Sequence, residues 1–195
     1  MGPEPFLDAM LTNPDFNVIV GGRAYDPSPY VAFAAFASKT SFKNAAFPSG
    51  QKLWGGFTHM AKIMECGGNC ATPKSSGAGA TVYSDGTFDI IPSDPEAKCT
   101  PNSVSAHTLY EKSRPDILHG PGGWLDLTKS KYEQLGDGRT CRVQGGLFTF
   151  SKDAGLPYQI KLEAATVIGY RSMYMGSIKD RKCACWYTRR FLERH

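Results

Sequence analysis

No stretch of the 195-residue chain approaches the roughly 18 consecutive apolar residues that a membrane-crossing helix requires, which excludes a helical span. The N-terminus shows neither a basic n-region nor an apolar h-region. No secretory signal is read, and a reducing, cytoplasmic compartment is expected. The six cysteines, Cys66, Cys70, Cys99, Cys141, Cys183 and Cys185, are then mostly free thiols rather than a disulfide framework. Neither phosphate-binding glycine spacing, GxGxxG or GxxxxGK(S/T), occurs, so no nucleotide, nicotinamide or flavin motif is present and no cofactor is expected. The chain also lacks internal repeats and low-complexity linkers.

A charge excess is missing from the body of the chain. The whole sequence carries 22 Lys and Arg against 18 Asp and Glu, a net charge of +4. Residues 179–195 hold six of the basic groups (Lys179, Arg181, Lys182, Arg189, Arg190, Arg194) against Asp180 and Glu193, and 16 of each sign remain in residues 1–178. A nucleic-acid-binding domain spreads basic residues over a face of its fold, whereas a basic tail is the pattern of a solvated chain end. No nucleic-acid partner is expected. Binding through the tail to phosphates or a membrane surface would have to be salt-sensitive and lost on deleting 179–195.

What is present is a globular balance, 41% hydrophobic and 21% charged, long enough for one sizeable core. Aromatics make up 12% of the chain, enough to line an apolar small-molecule pocket as well as fill a core. Pro3–Leu11 reads as a helix stopped by Asn13-Pro14. Phe16–Val20 is a short apolar run between turn signals, the pattern of a strand buried on both faces of a parallel sheet. Pro29 opens a helix to Ala37. Ser49 caps a longer helix through Glu65, on which Leu53, Trp54, Phe57, Met60, Ala61 and Met64 form an apolar stripe. His59 lies off that stripe and reads as structural or exposed.

From Thr81 the period shortens. Asp85-Gly86 sits between two β-rich arms of Thr81–Ile91, a hairpin signal. Thr100 caps a helix over Pro101–Lys112. The stretch His119–Gly123 reads as a loop, Arg139–Gln144 and Leu147–Phe150 as paired strands, and Tyr158–Glu163 and Ala165–Met175 as further strands. The fold class is therefore mixed α/β, in the α+β sense: an open sheet with flanking helices followed by a strand-rich C-terminal portion. One domain is expected over 1–178, with a sub-boundary near 76–80 and a basic tail at 179–195.

Four places carry chemistry. The densest is Glu65-Cys66-Gly67-Gly68-Asn69-Cys70-Ala71-Thr72, where an apolar helix gives way to a carboxylate, thiols, an amide and a hydroxyl. Two glycines there permit a close backbone approach. Glu65 is a candidate general acid/base and Cys66 a candidate nucleophile or lining residue, with Asn69 and Thr72 as binding groups. Cys66-x-x-x-Cys70 and Cys183-x-Cys185 lack the tight pairing of a structural zinc site, so no metal is expected. The second place is Gly21–Pro27, at the carboxyl end of the expected strand, where ligands bind in open α/β sheets. Arg23 can clamp an anionic group, Asp26 can orient it, and Tyr25 lies between them. Alternatively Arg23 and Asp26 pair and fix the loop. The third is His107 with Tyr110 and Glu111 on one helix, His107 and Glu111 being i,i+4 neighbours. The fourth is Tyr170-Arg171, a candidate anion clamp or a strand-edge ion pair.

Taken in order, Val18–Pro27, Met64–Gly68, Asp94-Pro95 with Cys99–Pro101, Val104–Glu111, Pro121–Gly123 with Leu125–Thr128, Lys161–Ala165 and Gly169–Ser172 resemble the acyclic terpene utilisation (AtuA-type) family. The resemblance runs from about residue 3 to 178 and stops after Lys179. It implies cytosolic proteins tied to degradation of branched, terpenoid-like acids, often handled as coenzyme A thioesters, and it assigns no catalytic roles. Family members are usually longer, with a further α/β segment upstream. Its absence here is expected to expose a sheet edge or apolar face, which homodimerisation would cover.

The expectation is an enzyme of non-redox chemistry (isomerase, lyase/hydratase or intramolecular cyclase) acting on a hydrophobic, terpenoid-like small molecule with a polar or acidic head. Glu65, His107 and Cys66 are the catalytic candidates. Arg23, Asp26, Tyr25, Asn69, Thr72, Tyr110, Tyr170 and Arg171 are the binding candidates. The rival is a non-catalytic ligand-binding protein, or a subunit completing a larger acyl-CoA-handling complex.

Overall fold

The computed structural model describes residues 1–40, 49–112, 114–160, 162, 164–173 and 175–176. The chain divides into two units, Met1–Leu162 and Glu163–His195. The basic tail and the Cys183–Cys185 pair lie outside the described residues. The fold is mixed α/β, with four α-helices and two antiparallel sheets among the described residues.

Helix α1 (Glu4–Thr12) starts behind Pro3 and ends where Asn13 gives both its backbone N–H and its side-chain amide to the Ala9 carbonyl, each at 3.0 Å. Helix α2 (Ser28–Ala37) carries Pro29 in its first turn, a position that needs no intrahelical N–H. Helix α3 (Ser49–Met64) is followed by a 3₁₀ turn, Gly67–Cys70. The hairpin of β1 (Ala78–Val82) and β2 (Phe88–Pro92) turns at Gly86, whose φ of +84° suits glycine. Helix α4 (Pro101–Thr108) is held by a reciprocal capping box between Thr100 and Ser103. The remaining strands are β3 (Ile117–Gly120), β4 (Gly123–Asp126), β5 (Lys131–Gln134), β6 (Cys141–Gln144) and β7 (Leu147–Phe150). They form a four-stranded sheet, β1-β2-β6-β5, and a three-stranded sheet, β3-β4-β7.

Helix α3 lies between the two sheets and serves both cores. On one side Trp54, Phe57 and Ala61 pack with Leu7, Met10, Val31 and Ala35 of α1 and α2, and with Leu118, Leu125, Phe148 and Phe150 of the smaller sheet. Trp54 stands edge-on to both Phe57 and Phe150, with centroids 5.6 Å away in each case. On the other side Met60 and Ile63 meet Phe88, Ile90, Cys141 and Val143 of the larger sheet and Val104 of α4. Burying each large apolar side chain contributes roughly 1.5–3 kcal/mol, so this two-sided burial dominates over any single polar contact. The approach is backbone-close: a Cβ on Gly55 would collide with the Gly146 carbonyl, and one on Gly56 with the Gly86 carbonyl.

His59 is buried within the second layer. Its Nε2 lies 3.2 Å from both the Thr108 hydroxyl and the Tyr132 hydroxyl, and its ring stands edge-on to Phe88 and Tyr132. Desolvation pushes its pKa from 6.5 down to about 3. It is a structural histidine held neutral, not an exposed one.

Several local expectations change. Phe16–Val20 forms no strand, and Val18 and Val20 are 78% and 93% exposed, because no strand among the described residues runs beside them and β-propensity is realised only through pairing. All strand pairs among the described residues are antiparallel. Arg139–Gln144 and Leu147–Phe150 do not pair with each other. Gly145-Gly146 turns the chain over the Gly55 backbone and delivers the two strands to different sheets. His119–Gly123 is not an open loop: it spans the tight β3–β4 hairpin, turned at Pro121-Gly122 with Gly122 at φ +73°. The helix from Pro101 stops at Thr108, and Glu111 sits beyond it at φ +59°, so it is not the i,i+4 partner of His107. Strand β5 has no counterpart in the sequence reading. No strand occurs among the described residues of 158–163 or 165–175. The first of these runs instead packs irregularly, with Tyr158 donating to Glu4 at 3.0 Å and the Gln159 carbonyl accepting from Gly122 at 2.9 Å.

Two predictions follow from α3. Gly55→Ala or Gly56→Ala loses about 1–3 kcal/mol despite alanine's better helix propensity, because overpacking against backbone outweighs a gain of at most ~1 kcal/mol. Gly136→Ala, which meets nothing within 4 Å, stays within about 0.5 kcal/mol of wild type in urea unfolding. The second concerns pH. The unfolded chain binds a proton at residue 59 near pH 6.5 and the folded chain only near 3. His59 therefore costs nothing above pH 6.5 and destabilises progressively as pH falls below it. Between pH 7.5 and 4.5 wild type should lose about 2–3 kcal/mol more than His59→Gln. Equal losses in urea titrations at both pH values would count against this.

Candidate functional site

The chemistry gathers where α3 ends. Lys62 and Glu65 form an ion pair across one helical turn, with side chains 2% and 8% exposed. Glu65 stands just past the last helical residue, where the negative end of the helix dipole disfavours a carboxylate. Lys62, one turn back, compensates. Neither charge is cheap to bury alone, so the pair exists because each supplies what desolvation takes from the other.

Glu65 opens onto a polar pocket of about 360 Å³. One wall is Met64–Asn69, the other is Ser75–Ala78, and Tyr30 of α2 stands at the rim. The walls touch through backbone: Ser75 N–H donates to the Gly68 carbonyl at 2.9 Å, and a Cβ on Gly68 would collide with the Ser75 carbonyl. That is the close approach for which the Gly67-Gly68 pair was read. Asp94 fixes the far wall by accepting from the Ser76 N–H at 2.7 Å and the Ser76 hydroxyl at 2.8 Å, bonds that hold its carboxyl below the usual range. The Thr72 and Lys98 backbones exchange hydrogen bonds at 2.8 and 3.0 Å, tying the end of the loop to the segment that leads into α4.

An apolar groove of about 500 Å³ adjoins this pocket, lined by Phe33, Leu53, Phe57, Met60 and Val82. Tyr30 and Met64 belong to both linings. The combined surface has a polar end containing a carboxylate, backbone amides and hydroxyls, and an apolar end of aromatic and aliphatic side chains.

Behind the polar wall lies His107, 7% exposed. It hydrogen-bonds to the Ile63 backbone and stacks on Tyr110 with centroids 5.7 Å apart and an interplanar angle of 11°. Burial lowers its pKa, and the charge of Lys62 lowers it further, so the ring is a neutral imidazole at physiological pH. Its Nε2 has no hydrogen-bond partner among the described residues. The charge of Glu111 beside it raises the Tyr110 phenol. Helix α4 and the turn after it thus bring His107 and Tyr110 to the C-terminal end of α3, though neither ring lines the pocket itself.

Cys66 is half-buried in the pocket wall. Cys70 and Cys99 are buried, with their sulfurs 3.7 Å apart, and pack as small apolar groups in the second core. No cluster capable of holding a metal ion occurs among the described residues. Arg23 and Asp26 sit elsewhere, exposed on a groove of about 570 Å³ that meets the polar pocket only at Tyr30. No ion pair joins them among the described residues. Tyr25 turns inward to a small cavity of about 30 Å³ that Lys62 also lines, where burial and the charge of Asp26 push its phenol up to about 12. Tyr170 and Arg171 belong to the second unit, exposed and without helix or strand. Asn69 lines the polar pocket and Thr72 lies just past it.

The sequence reading missed Lys62, Tyr30, Met64 and Asp94. Lys62 had a signal: a lone charge inside the apolar run Phe57–Met64, spaced i,i+3 from Glu65. The other three are recruited by tertiary packing.

Among the described residues no helix is long and apolar enough to cross a membrane. Fold and site define a small mixed α/β protein with an amphipathic cleft. The family model described as "Acyclic terpene utilisation family protein AtuA" matches residues 1–185, and the chain belongs to this family. The match extends past Lys179, where the resemblance was expected to end. Membership implies a role in acyclic terpene utilisation. No curated protein and no solved structure was found to match.

The ion pair predicts its own test. Lys62→Met leaves Glu65 without its compensating charge and costs about 3–5 kcal/mol, whereas Lys62→Met combined with Glu65→Leu recovers most of that. Unfolding free energies of the two variants measure the difference.

Proposed function

We propose that the protein is an enzyme of non-redox proton-transfer chemistry, of the isomerase or lyase/hydratase type. Its substrate is an acyclic terpenoid bearing a carbonyl, carboxylate or thioester. The observation that carries this reading is the sharing of Tyr30 and Met64 between the polar pocket and the apolar groove. A molecule with a branched apolar chain and a polar head fits such a surface in one direction. Its chain lies along Phe33, Leu53 and Val82, and its head faces Glu65 and the Gly67–Asn69 backbone.

In this reading Glu65 is the general base. The ammonium of Lys62 pairs with its carboxylate, and the apolar groove excludes water from the neighbouring carbon. The Gly67 and Gly68 amide N–H groups are the donors proposed for charge that develops on a carbonyl oxygen when the adjacent proton leaves, since the Asn69 N–H already donates to the Cys66 carbonyl at 2.8 Å. His107 acts as a positioning residue: neutral, stacked on Tyr110 and bonded to Ile63, it fixes the end of α3 from which Glu65 projects. Cys66 is lining. Proton abstraction followed by return at another carbon gives isomerisation, and loss of a leaving group from the same carbanion gives elimination.

Deuterium exchange tests this directly. The probe is the N-acetylcysteamine thioester of an acyclic monoterpenoid acid in D₂O. Wild type should incorporate deuterium at a carbon conjugated to the thioester. Glu65→Gln combined with Lys62→Met, which leaves no buried charge unpaired, should slow exchange by about 10²–10⁴-fold with little change in probe affinity. Binding without exchange in wild type would instead favour the non-catalytic ligand-binding reading.

A further inference from the structure

We propose that Asp15–Arg23 is a self-association strand through which two copies of this chain pair antiparallel about a twofold axis. The segment carries β-branched residues at Val18, Ile19 and Val20, the composition of a strand. It runs without turn or bend from Val18 to Gly22, between a turn at Pro14-Asp15 and bends at Asn17 and Arg23. Yet Val18 is 78% and Val20 93% exposed. Its backbone is equally uncommitted. Between Phe16 N–H, which donates to Asn13 at 3.1 Å, and Tyr25 N–H, which donates to Met1 at 3.0 Å, residues 17–24 make no backbone–backbone hydrogen bond among the described residues. No proline interrupts Asn17–Arg23, so every backbone donor of that stretch is present for a ladder. An apolar strand with open N–H and C=O groups is a template for another strand.

Charge selects the occupant. The segment is uncharged from Phe16 to Gly22 and ends in Asp15 on one side and Arg23 on the other. When two copies pair antiparallel with Ile19 at the centre, Asp15 faces the partner's Arg23 at both ends, and Val18 faces the partner's Val20. Parallel pairing would set like charges opposite one another, which is destabilising. A foreign strand need not carry this complementarity, whereas a second copy carries it by construction, as an isologous interface requires. A two-stranded ribbon alone is marginal in water. Here it has support: the apolar groove of about 570 Å³ lined by Phe6, Met10, Phe16, Ile19 and Phe33 lies alongside and offers area for the partner's side chains to bury.

The test is sedimentation velocity of the full chain over a concentration series, with three variants. Wild type should be dimeric at micromolar concentration. Val20→Lys should be monomeric with an unchanged circular dichroism spectrum, since the site is exposed in the single chain. Asp15→Arg should weaken the dimer about ten-fold or more, and Asp15→Arg combined with Arg23→Asp should restore it. A monomeric wild type, a dimer indifferent to Val20→Lys, or a double variant no tighter than the single one would each overturn the proposal.

Discussion

Helix α3 rests with Gly55 and Gly56 against the backbone carbonyls of Gly146 and Gly86, a separation that admits hydrogen and no larger side chain. Gly146 lies between β6 and β7, and Gly86 is the turn of the β1–β2 hairpin, so both sheets are indexed on the same two residues. Their distance from α3 is set by backbone, and the side chains on either side then fill a space of fixed size. Trp54 and Phe57 go one way, Met60 and Ile63 the other. The helix has no solvent-facing stripe to speak of, which explains why His59 and Lys62 are buried although neither belongs to an apolar periodicity.

That constraint makes the end of α3 a rigid place to put chemistry. Lys62 has a fixed helical position between the cores, Glu65 emerges one turn later, and the Gly67–Cys70 turn begins at once. The far wall comes from Ser75–Ala78, tethered by Asp94. Arg139 in turn ties Asp94 down by donating to its carbonyl at 2.7 Å and to those of Ala97 and Pro92 at 3.2 Å. The two pocket walls are thus close in sequence, joined by a backbone hydrogen bond from Ser75 to Gly68 and held from outside by the side chains of Asp94 and Arg139. By contrast, the Asp89–Arg142 pair, with its two 2.8 Å hydrogen bonds and a Tyr83 hydroxyl at 2.7 Å, braces the larger sheet between β2 and β6.

Legibility from sequence followed how local the physics was. The helices over residues 4–12, 28–37 and 49–64, the Asp85-Gly86 hairpin and the Thr100 cap are written in short-range signals, and they stand where those signals place them. The Glu65–Asn69 pocket wall was visible because glycine, carboxylate and thiol types were concentrated there. Other features depended on partners that no local pattern names. Phe16–Val20 has the residues of a strand and no strand to pair with. The strands after Arg139 part company because Gly146 is needed by a helix ninety residues earlier in the chain. Glu111 misses His107 because the chain leaves the helix at Thr108. Arg23 was grouped with Glu65 on the assumption of a parallel sheet, and without that sheet it stands on a separate groove.

The central claim is that one amphipathic cleft, polar at Glu65 and apolar at Phe33 and Leu53, holds the substrate. Amide and methyl chemical-shift mapping during titration with an acyclic monoterpenoid thioester addresses it most directly. The account predicts shifts that saturate together at the Gly67, Gly68 and Ser76 amides and at the Leu53, Met64 and Val82 methyls. Shifts confined to the Gly21–Asp26 loop, or an unperturbed Gly67–Gly68 turn at saturation, would contradict it.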